Sequence, residues 1–476
     1  MKILLVRPPV PSRTIGLKHI MRCEPLELEY VAAGLKGHEV MIFDGIMEKG
    51  LEKRLRSFRP AVVGTGSYIN GVDEVKRICR SVKAWNTACT TLVGGVHASR
   101  CPGDFSDPSI DCVVMCDGTS VAGEFVRALE AGRPLDTVAG LALPDGRSGM
   151  RLTAPREYMP HPDTLPLPRR DLVAHLRNRY YYVFHRPLAI IKTAWGCPYE
   201  CGFCFNRTVT GGKVYLRSPE SIVDELAQIE APDVYIVDDL FLFDRKRLER
   251  IADLIDRRSI RKNYLVFGRA DFIAENEDIV RRWAGIGLTA VLVGLEASTD
   301  NELTALEKRS TVDQNRQAIA VLQRCRVDTY ASFITQPDYT PADWDRLRKF
   351  IDDNGLYFLN ISPFTPLPGT SEWKKYGAQA EVHRRNHAVW DLSHVLLPTR
   401  MPLKKYYRAL LWTYAKAILD LPRAQRIIHR RAPPVWSPSY LRIWAGAWRI
   451  FFQMLAAHHH HGLISAAKAP DMRVEK

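Results

Sequence analysis

The stretch Thr193–Arg207 reads TAWGCPYECGFCFNR, and three of the chain's ten cysteines, Cys197, Cys201 and Cys204, fall within eight residues of it. An apolar run with strand character, residues 189–193, leads into them, so the cysteines occupy the loop at a strand's carboxyl end. The spacing C-x3-C-x2-C puts three thiolates on one tight loop. Three such ligands can hold three irons of a 4Fe–4S cluster and leave the fourth iron open to substrate atoms. A structural zinc site takes four ligands. No fourth Cys or His lies close by in sequence, although a distant His could complete such a site. Iron–sulfur is the reading the spacing favours; zinc and free thiols are its alternatives.

Outward from this loop, short apolar runs alternate with amphipathic ones. Strand candidates are residues 189–193, 234–237, 264–267, 290–294, 329–334 and 358–362. Between them lie helical patterns. In SPESIVDELAQI, Ser218 caps, Pro219 suits the first turn, and Ile222, Leu226 and Ile229 share a face. In DRKRLERIADLIDRR the apolar stripe is Leu248, Ile251, Leu254 and Ile255. Six βα units across residues 186–375 predict a partial (β/α)6 barrel with its chemistry at the carboxyl ends of the strands.

Residues 1–150 alternate in the same way, with strand candidates 3–6, 40–43, 62–65, 91–93 and 112–115. They predict a doubly wound parallel sheet. Such sheets bind ligands beyond the carboxyl ends of their strands. There the sequence places Asp44 and Gly45, then Ser67 and Tyr68 after Gly66, then Gly94 and Gly95 in GGVHA, then Asp117 and Gly118. Small residues on one edge let a large ligand approach the backbone, although Gly and Asp are also ordinary in βα turns. Residues 151–185 carry five prolines and read as a surface linker. Residues 376–476 lack strand alternation and read as a helical, basic region.

The 476-residue length implies two or three domains. Ten cysteines without a secretory signal imply a reducing compartment, the cytoplasm. No apolar run reaches the roughly 18 residues of a membrane span. The net charge is +14; residues 401–476 hold 13 Lys+Arg against 3 Asp+Glu, so +10 of it sits there. A basic tail suits nucleic acid, an anionic membrane or plain solubility. Aromatic RNA-binding signatures are absent, so no nucleic-acid partner is expected; an iron–sulfur protein that binds nucleic acid is the rival of another class.

CPYECGFC resembles the cluster motif of the radical S-adenosylmethionine (radical SAM) enzymes, with Phe203 at the motif's aromatic position. The resemblance implies that SAM's amino and carboxylate groups chelate the open iron, which explains three cysteines rather than four. It also implies that reductive cleavage of SAM gives a 5′-deoxyadenosyl radical. Asp238 and Asp239 in YIVDDLFL, Arg269 in FGRADF and Glu296 in LVGLEAS fall where the family contacts SAM, and SPFTPLPGT resembles its sixth-strand ending. The fifth strand, YASFITQPDYT, lacks the family's Gly-rich stretch. VGGVHA and the position of residues 1–150 resemble the cobalamin-binding domain fused ahead of some radical SAM domains. In DGIMEKG, Ile46 stands where a cobalt-ligating histidine would be, so cobalamin is expected without a histidine below the metal; a domain that has lost cobalamin is the alternative.

Over residues 1–400 the chain is similar to cobalamin-dependent radical SAM enzymes, and CEPLELEYVAAGL, RSPESIVDELAQI, VYIVDDLFLF, IRKNYLVFGRADF and HVLLPTRMPLKKYY resemble the hopanoid C-3 methylases. This implies methyl transfer from methylcobalamin to an unactivated carbon of a lipid, two SAM per turnover, and an electron donor such as flavodoxin or ferredoxin. A radical SAM cyclase or rearrangement enzyme acting on a tetrapyrrole or lipid is the alternative. In SYLRIWAGAWRIFFQML, Leu441, Trp444, Trp448, Phe451 and Leu455 share one helical face. That face either packs on the barrel or lies on a membrane as a peripheral contact. His458–His461 carry no assigned role.

Overall fold

The computed structural model describes residues 1–15, 19–66, 68–146, 149–380, 386–419 and 438–460. They form two compact units. One comprises residues 1–14, 24–177 and 386–391; the other comprises 15–23, 178–385 and the chain from 392 onward.

The first unit is built on strands β1 (Lys2–Arg7), β2 (Glu39–Asp44), β3 (Val62–Gly66), β4 (Thr90–Gly94), β5 (Cys112–Val114), β6 (Leu141–Pro144) and β7 (Met150–Leu152). The sheet order is β2-β1-β3-β4-β5-β6-β7, parallel through β5 and antiparallel beyond it. This is a doubly wound order, with the topological switch between β1 and β3. The near-continuous apolar strands follow from helices covering both faces. On one face Leu4, Val6 and Val63 pack with Leu55, Phe58, Ile78 and Val82. The segment read as a linker carries a 3-10 stretch, Arg170–Arg179, whose Val173 and Leu176 are buried. Arg170 there binds the buried carboxylates of Glu24 (2.8 Å) and Glu29 (3.4 Å).

The second unit has strands β8 (Leu188–Ile191), β9 (Asp233–Ile236), β10 (Asn263–Arg269), β11 (Leu288–Glu296), β12 (Asp328–Thr335) and β13 (Phe358–Pro363). They pair in parallel in simple sequential order. This is the open partial barrel expected of six βα units. Its helices form where their stripes predict. Helix Pro219–Gln228 starts on Ser218, whose Oγ accepts from the Ser221 amide at 3.2 Å. Helix Arg245–Arg257 buries Leu248, Ile251, Leu254 and Ile255, each worth about 1.5–3 kcal/mol. At the amino ends of the strands the barrel is filled with aromatic rings. Tyr182 lies 5.4 Å from Tyr235 and 5.7 Å from Tyr330, and Tyr330 lies 4.4 Å from Phe358. Chemistry is thereby confined to the opposite edge.

The carboxyl-terminal region contains helices Ser371–Ala380, Leu403–Leu419 and Pro438–Ala456. The solvent face of the last one differs by one residue from the sequence reading. Phe452 is 60% exposed, while Phe451 is half-buried against the core. Met454 and Ala457 lie in the core with Leu410 and Leu411, and this turns Phe451 inward. His458–His460 close the helix in a 3-10 turn; His461 lies outside the described residues.

Candidate active site

The cysteine loop leaves β8 and is tied at its base. Ala194 and Trp195 pair with Leu216 and Tyr215 in a two-residue ribbon. Gly196 turns the chain with φ +84°; a Cβ there would sit 2.3 Å from the Lys213 carbonyl oxygen. At the exit the Arg217 amide donates to the Thr193 carbonyl at 3.0 Å. Gly202 is wedged among Ser371 Oγ, Glu372 and Glu307, and Ser371 Oγ donates to its carbonyl at 3.0 Å. SPFTPLPGT, which ends β13 and runs beyond it, thus delivers a helix start directly to the loop.

Two carboxylates from the end of β9 position that loop. Asp238 is fully buried. It accepts from the Thr193 amide (2.6 Å), the Ala194 amide (3.0 Å) and the Thr193 hydroxyl. Burial raises its carboxyl above the usual range, opposed by Lys192 and Arg247. Arg247 closes the group by donating to the Thr193 carbonyl (3.0 Å) and hydroxyl (2.8 Å). Asp239 is half-buried; it accepts from the Gly196 amide at 2.7 Å and pairs with Lys192 at 3.6 Å. Arg269 ends β10 against the same loop. Its guanidinium stacks 3.7 Å over the Tyr199 ring, lies 3.7 Å from Cys201 Sγ, and is held by Asp271 and the Lys308 carbonyl. Asp238, Asp239 and Arg269 are therefore gathered at the cysteines, each with bonds to or stacking on the loop.

Burial pushes the Cys204 thiol up to about 12 and raises Cys197 as well. Thiols in this state bind iron only by losing protons. The three sulfurs do not converge within 4.8 Å of one another as ligands of a single ion would; among the described residues the trio that does is His97, Cys101 and Asp104. Thiolates on three separate irons of a cubane have no need to converge in that way. The donor set thus fits a cluster better than zinc. Phe203 is half-buried between Cys201 and Cys204.

Glu296 sits at the end of β11, where the ladder to β12 skips a residue. Its φ is +63°, a left-handed conformation that costs a non-glycine residue about 1–3 kcal/mol. Glu296 Oε1 is buried against Lys308 Nζ at 2.8 Å, and a Cβ on Gly294 would lie 2.3 Å from that oxygen. At the end of β12, both amide atoms of Gln336 are buried without a hydrogen-bond partner. A buried orphan amide is costly, and it lies in the segment that lacks the family's Gly-rich stretch. Sequence reasoning missed Gln336, Lys308, Thr193 and Arg247. None belongs to a motif; only their placement after a strand or on a helix end hints at them.

In the first unit the strand ends fit a large ligand in backbone more than in side chain. A Cβ on Gly66 would lie 2.5 Å from the Gly94 carbonyl oxygen, and Gly95 has φ +102°. Thr65 Oγ1, beside Gly66, is buried without a partner. Tyr68 is 64% exposed, and Ser67 lies outside the described residues. Asp44 is fully buried, bound by Arg7 (Nε at 2.8 Å) and by the Ile46 amide at 3.1 Å. Asp117 caps helix Gly118–Glu130, accepting from the Ser120 amide at 2.9 Å. His97 in GGVHA is turned to Asp104, 2.7 Å away. Ile46 stands at the position expected of a cobalt-ligating histidine and offers no nitrogen, so cobalamin held base-off at this edge would lack a histidine ligand. Base-off binding is expected, with the Co(II) form giving an electron paramagnetic resonance spectrum free of nitrogen superhyperfine splitting; such splitting, from a histidine or from the cofactor's own base, would refute this arrangement. Gly66→Val is expected to remove cobalamin binding, read by absorbance of the reconstituted protein, and to leave the iron content unchanged.

Residues 191–351 match the radical SAM superfamily, and residues 13–126 match the B12 binding domain. The chain belongs to the radical SAM enzymes that carry a B12-binding domain. It is 30% identical over 421 residues to the hopanoid C-3 methylase of Methylococcus capsulatus, covering 87% of this chain and 79% of that one. It is 25% identical to the anaerobic magnesium-protoporphyrin IX monomethyl ester cyclase of Rubrivivax gelatinosus, covering 80% and 71%. In fold it is similar to the cobalamin-dependent S-adenosylmethionine radical enzyme OxsB, solved with aqua-cobalamin and S-adenosylmethionine bound, at TM-score 0.67 and 14% identity over 98% of this chain and 73% of that one. The protein is an enzyme, a cobalamin-dependent radical SAM C-methyltransferase. Its cofactors are a 4Fe–4S cluster, SAM and cobalamin. It acts on a small molecule and takes electrons from a reductant. No helix among the described residues is long and apolar enough to cross a membrane.

Proposed function

We propose that the enzyme adds a methyl group to an unactivated carbon of a hopanoid or similar polycyclic lipid, which it meets in the cytoplasm as a peripheral membrane protein. The observation that carries this reading is the likeness to a hopanoid methylase along most of the chain, through both cofactor domains. Cys197, Cys201 and Cys204 hold the cluster. Asp239, Arg269, Glu296 and Gln336 line the place of SAM, with Asp238 fixing the loop from behind. Gly66, Tyr68, Gly94 and Gly95 form the cobalamin edge, and Ser67 is assigned to it from sequence alone; Asp44, Asp117 and Gly118 shape the turns beside it.

When bound, the cluster and SAM supply the radical that activates the substrate, and cobalamin supplies the methyl group. The chain's own residues position and shield. The aromatic floor keeps water from entering through the amino ends of the strands. Arg269 sets a cation against the thiolate loop. The Glu296–Lys308 pair fixes a carboxylate oxygen at the strand ends. No acid–base pair is required of the protein. Flavodoxin or ferredoxin suits the role of electron donor.

The test is incubation of the reconstituted enzyme with a cell lipid extract and SAM carrying a labelled methyl group. A hopanoid heavier by one labelled methyl is expected. Labelled methyl in a non-lipid product would overturn the substrate class. An oxidised, ring-closed product with no label gained would favour a cyclase, the reading that the likeness to the tetrapyrrole cyclase keeps open.

A further inference from the structure

In the second unit, at the opposite edge of the sheet from the cysteine loop, Met21–Arg22 pairs with Tyr181–Tyr182 in an antiparallel ribbon. Against this ribbon lies a pocket of about 400 Å³. Among the described residues its charged lining is His19, Arg22, Arg179, Arg186, Arg442 and Arg449, and Tyr181, Ala445 and Gly446 complete it. The pocket is built rather than incidental. The Arg442 guanidinium stacks 4.1 Å over the Tyr181 ring, and Arg22 lies 5.9 Å from the same ring. A Cβ on Gly446 would lie 2.6 Å from the His19 carbonyl oxygen, so only glycine lets helix Pro438–Ala456 come this close. Arg442 Nε is buried with no hydrogen-bond partner. Burial lowers the Arg442 pKa, and Arg186 and Arg22 lower it further against the opposing effect of Tyr181. Arg442, with its orphaned Nε, and the exposed Arg449 about two turns further along the same helix give the cavity two guanidinium groups that an anion can bridge.

The same helix exposes Leu441, Trp444, Trp448, Phe452 and Leu455. Its other side packs on helix Leu403–Leu419 and the core. Indole and phenyl groups beside arginines are the chemistry of a membrane interface: rings at headgroup depth, guanidinium groups on phosphate. We propose that the arginine pocket binds the phosphate headgroup of an anionic phospholipid and seats this helix on the bilayer. The charge of the pocket selects the occupant of the apolar face, because a soluble protein partner would have to bring both phosphate-like anions and a matching apolar surface. The inference deepens the peripheral contact proposed above. It does not depend on the substrate being a lipid, since the pocket and the cysteine loop lie at opposite edges of the sheet.

The experiment is co-sedimentation of the full chain, at low salt and without substrate, with phosphatidylcholine vesicles and with vesicles that also contain phosphatidylglycerol. Binding is expected only to the second kind. Arg442→Gln combined with Arg449→Gln should weaken it about 30-fold, and Arg449→Gln alone, at an exposed position, about fivefold. Trp444→Ala with Phe452→Ala should also release the protein, with its melting temperature unchanged. Equal binding to both kinds of vesicle, or none to either, overturns the proposal. So does an unaltered affinity in Arg449→Gln. Micromolar binding of inorganic phosphate or of RNA without vesicle binding would assign the pocket to a soluble anion and overturn it too. Because no turnover is read, failure here leaves the substrate proposal standing, and the reverse also holds.

Discussion

Replacing any one of Cys197, Cys201 or Cys204 by alanine removes 5′-deoxyadenosine formation from SAM, with activity falling by at least about 10³-fold. A rate loss of that size is what about 4 kcal/mol of lost transition-state stabilisation produces. The effect should reach background, because the cluster needs a thiolate on each of three irons to leave the fourth open. Among the described residues no other cysteine joins the loop, and Arg269, the residue against Cys201 Sγ, cannot ligate iron. Iron in the anaerobically reconstituted protein should fall from about four per chain. The fold should survive, since the three cysteines lie on a loop that Asp238, Arg217 and Ser371 hold independently of the thiols. A triple alanine variant that still cleaves SAM reductively would refute the assignment of these cysteines.

Asp238→Ala is expected to be the most damaging change outside the cysteines. It leaves two backbone amides and the Thr193 hydroxyl without their buried acceptor. It also strips Arg247 of its main opposing charge, and burial already lowers the pKa of that guanidinium. Breaking a buried charge group from one side costs about 3–5 kcal/mol, which lowers the melting temperature by on the order of 10 °C. The cysteine loop loses its anchor at Thr193 and Ala194, so cluster content should fall together with stability. Asp238→Asn keeps one acceptor oxygen and relieves the desolvated charge, so it should cost less than half as much. An alanine variant with wild-type melting and iron content would contradict the role of Asp238 as the loop's fixing point.

Much of this architecture was legible because its signals are local. The apolar runs at 3–6, 62–65 and 189–193 are short and bounded by turns, and all became buried parallel strands. The Ser218-Pro219 start and the Leu248/Ile251/Leu254/Ile255 stripe set their helices in the same way. The cysteine spacing is also local, as is the recurrence of glycine at Gly66, Gly94 and Gly95. What sequence could not show depends on register and on distant partners. Glu296 was placed at its strand end, but its left-handed backbone comes from a skipped residue in the ladder to β12. Its partner Lys308 lies 12 positions on, in a segment that reads as an ordinary turn. Arg269 was read as a partner for a carboxylate; its stacking on Tyr199 joins two segments 70 residues apart by numbering. Residues 386–391 were assigned to the helical tail, yet they belong to the first unit, where His387 meets Asp73 at 3.2 Å. Contacts of that span leave no periodicity to read.

In the proposed reaction one chain couples radical formation at the cysteine loop to methyl transfer through a cobalamin site. The most direct measurement is the ratio of three products in a single reaction with isolated hopanoid substrate: 5′-deoxyadenosine, S-adenosylhomocysteine and methylated lipid. A cobalamin-dependent radical methylase consumes two SAM molecules per methyl delivered, so the three should appear in equal amounts, and only when cobalamin is present. Deoxyadenosine formed together with product, but with no S-adenosylhomocysteine and no dependence on cobalamin, would contradict the account.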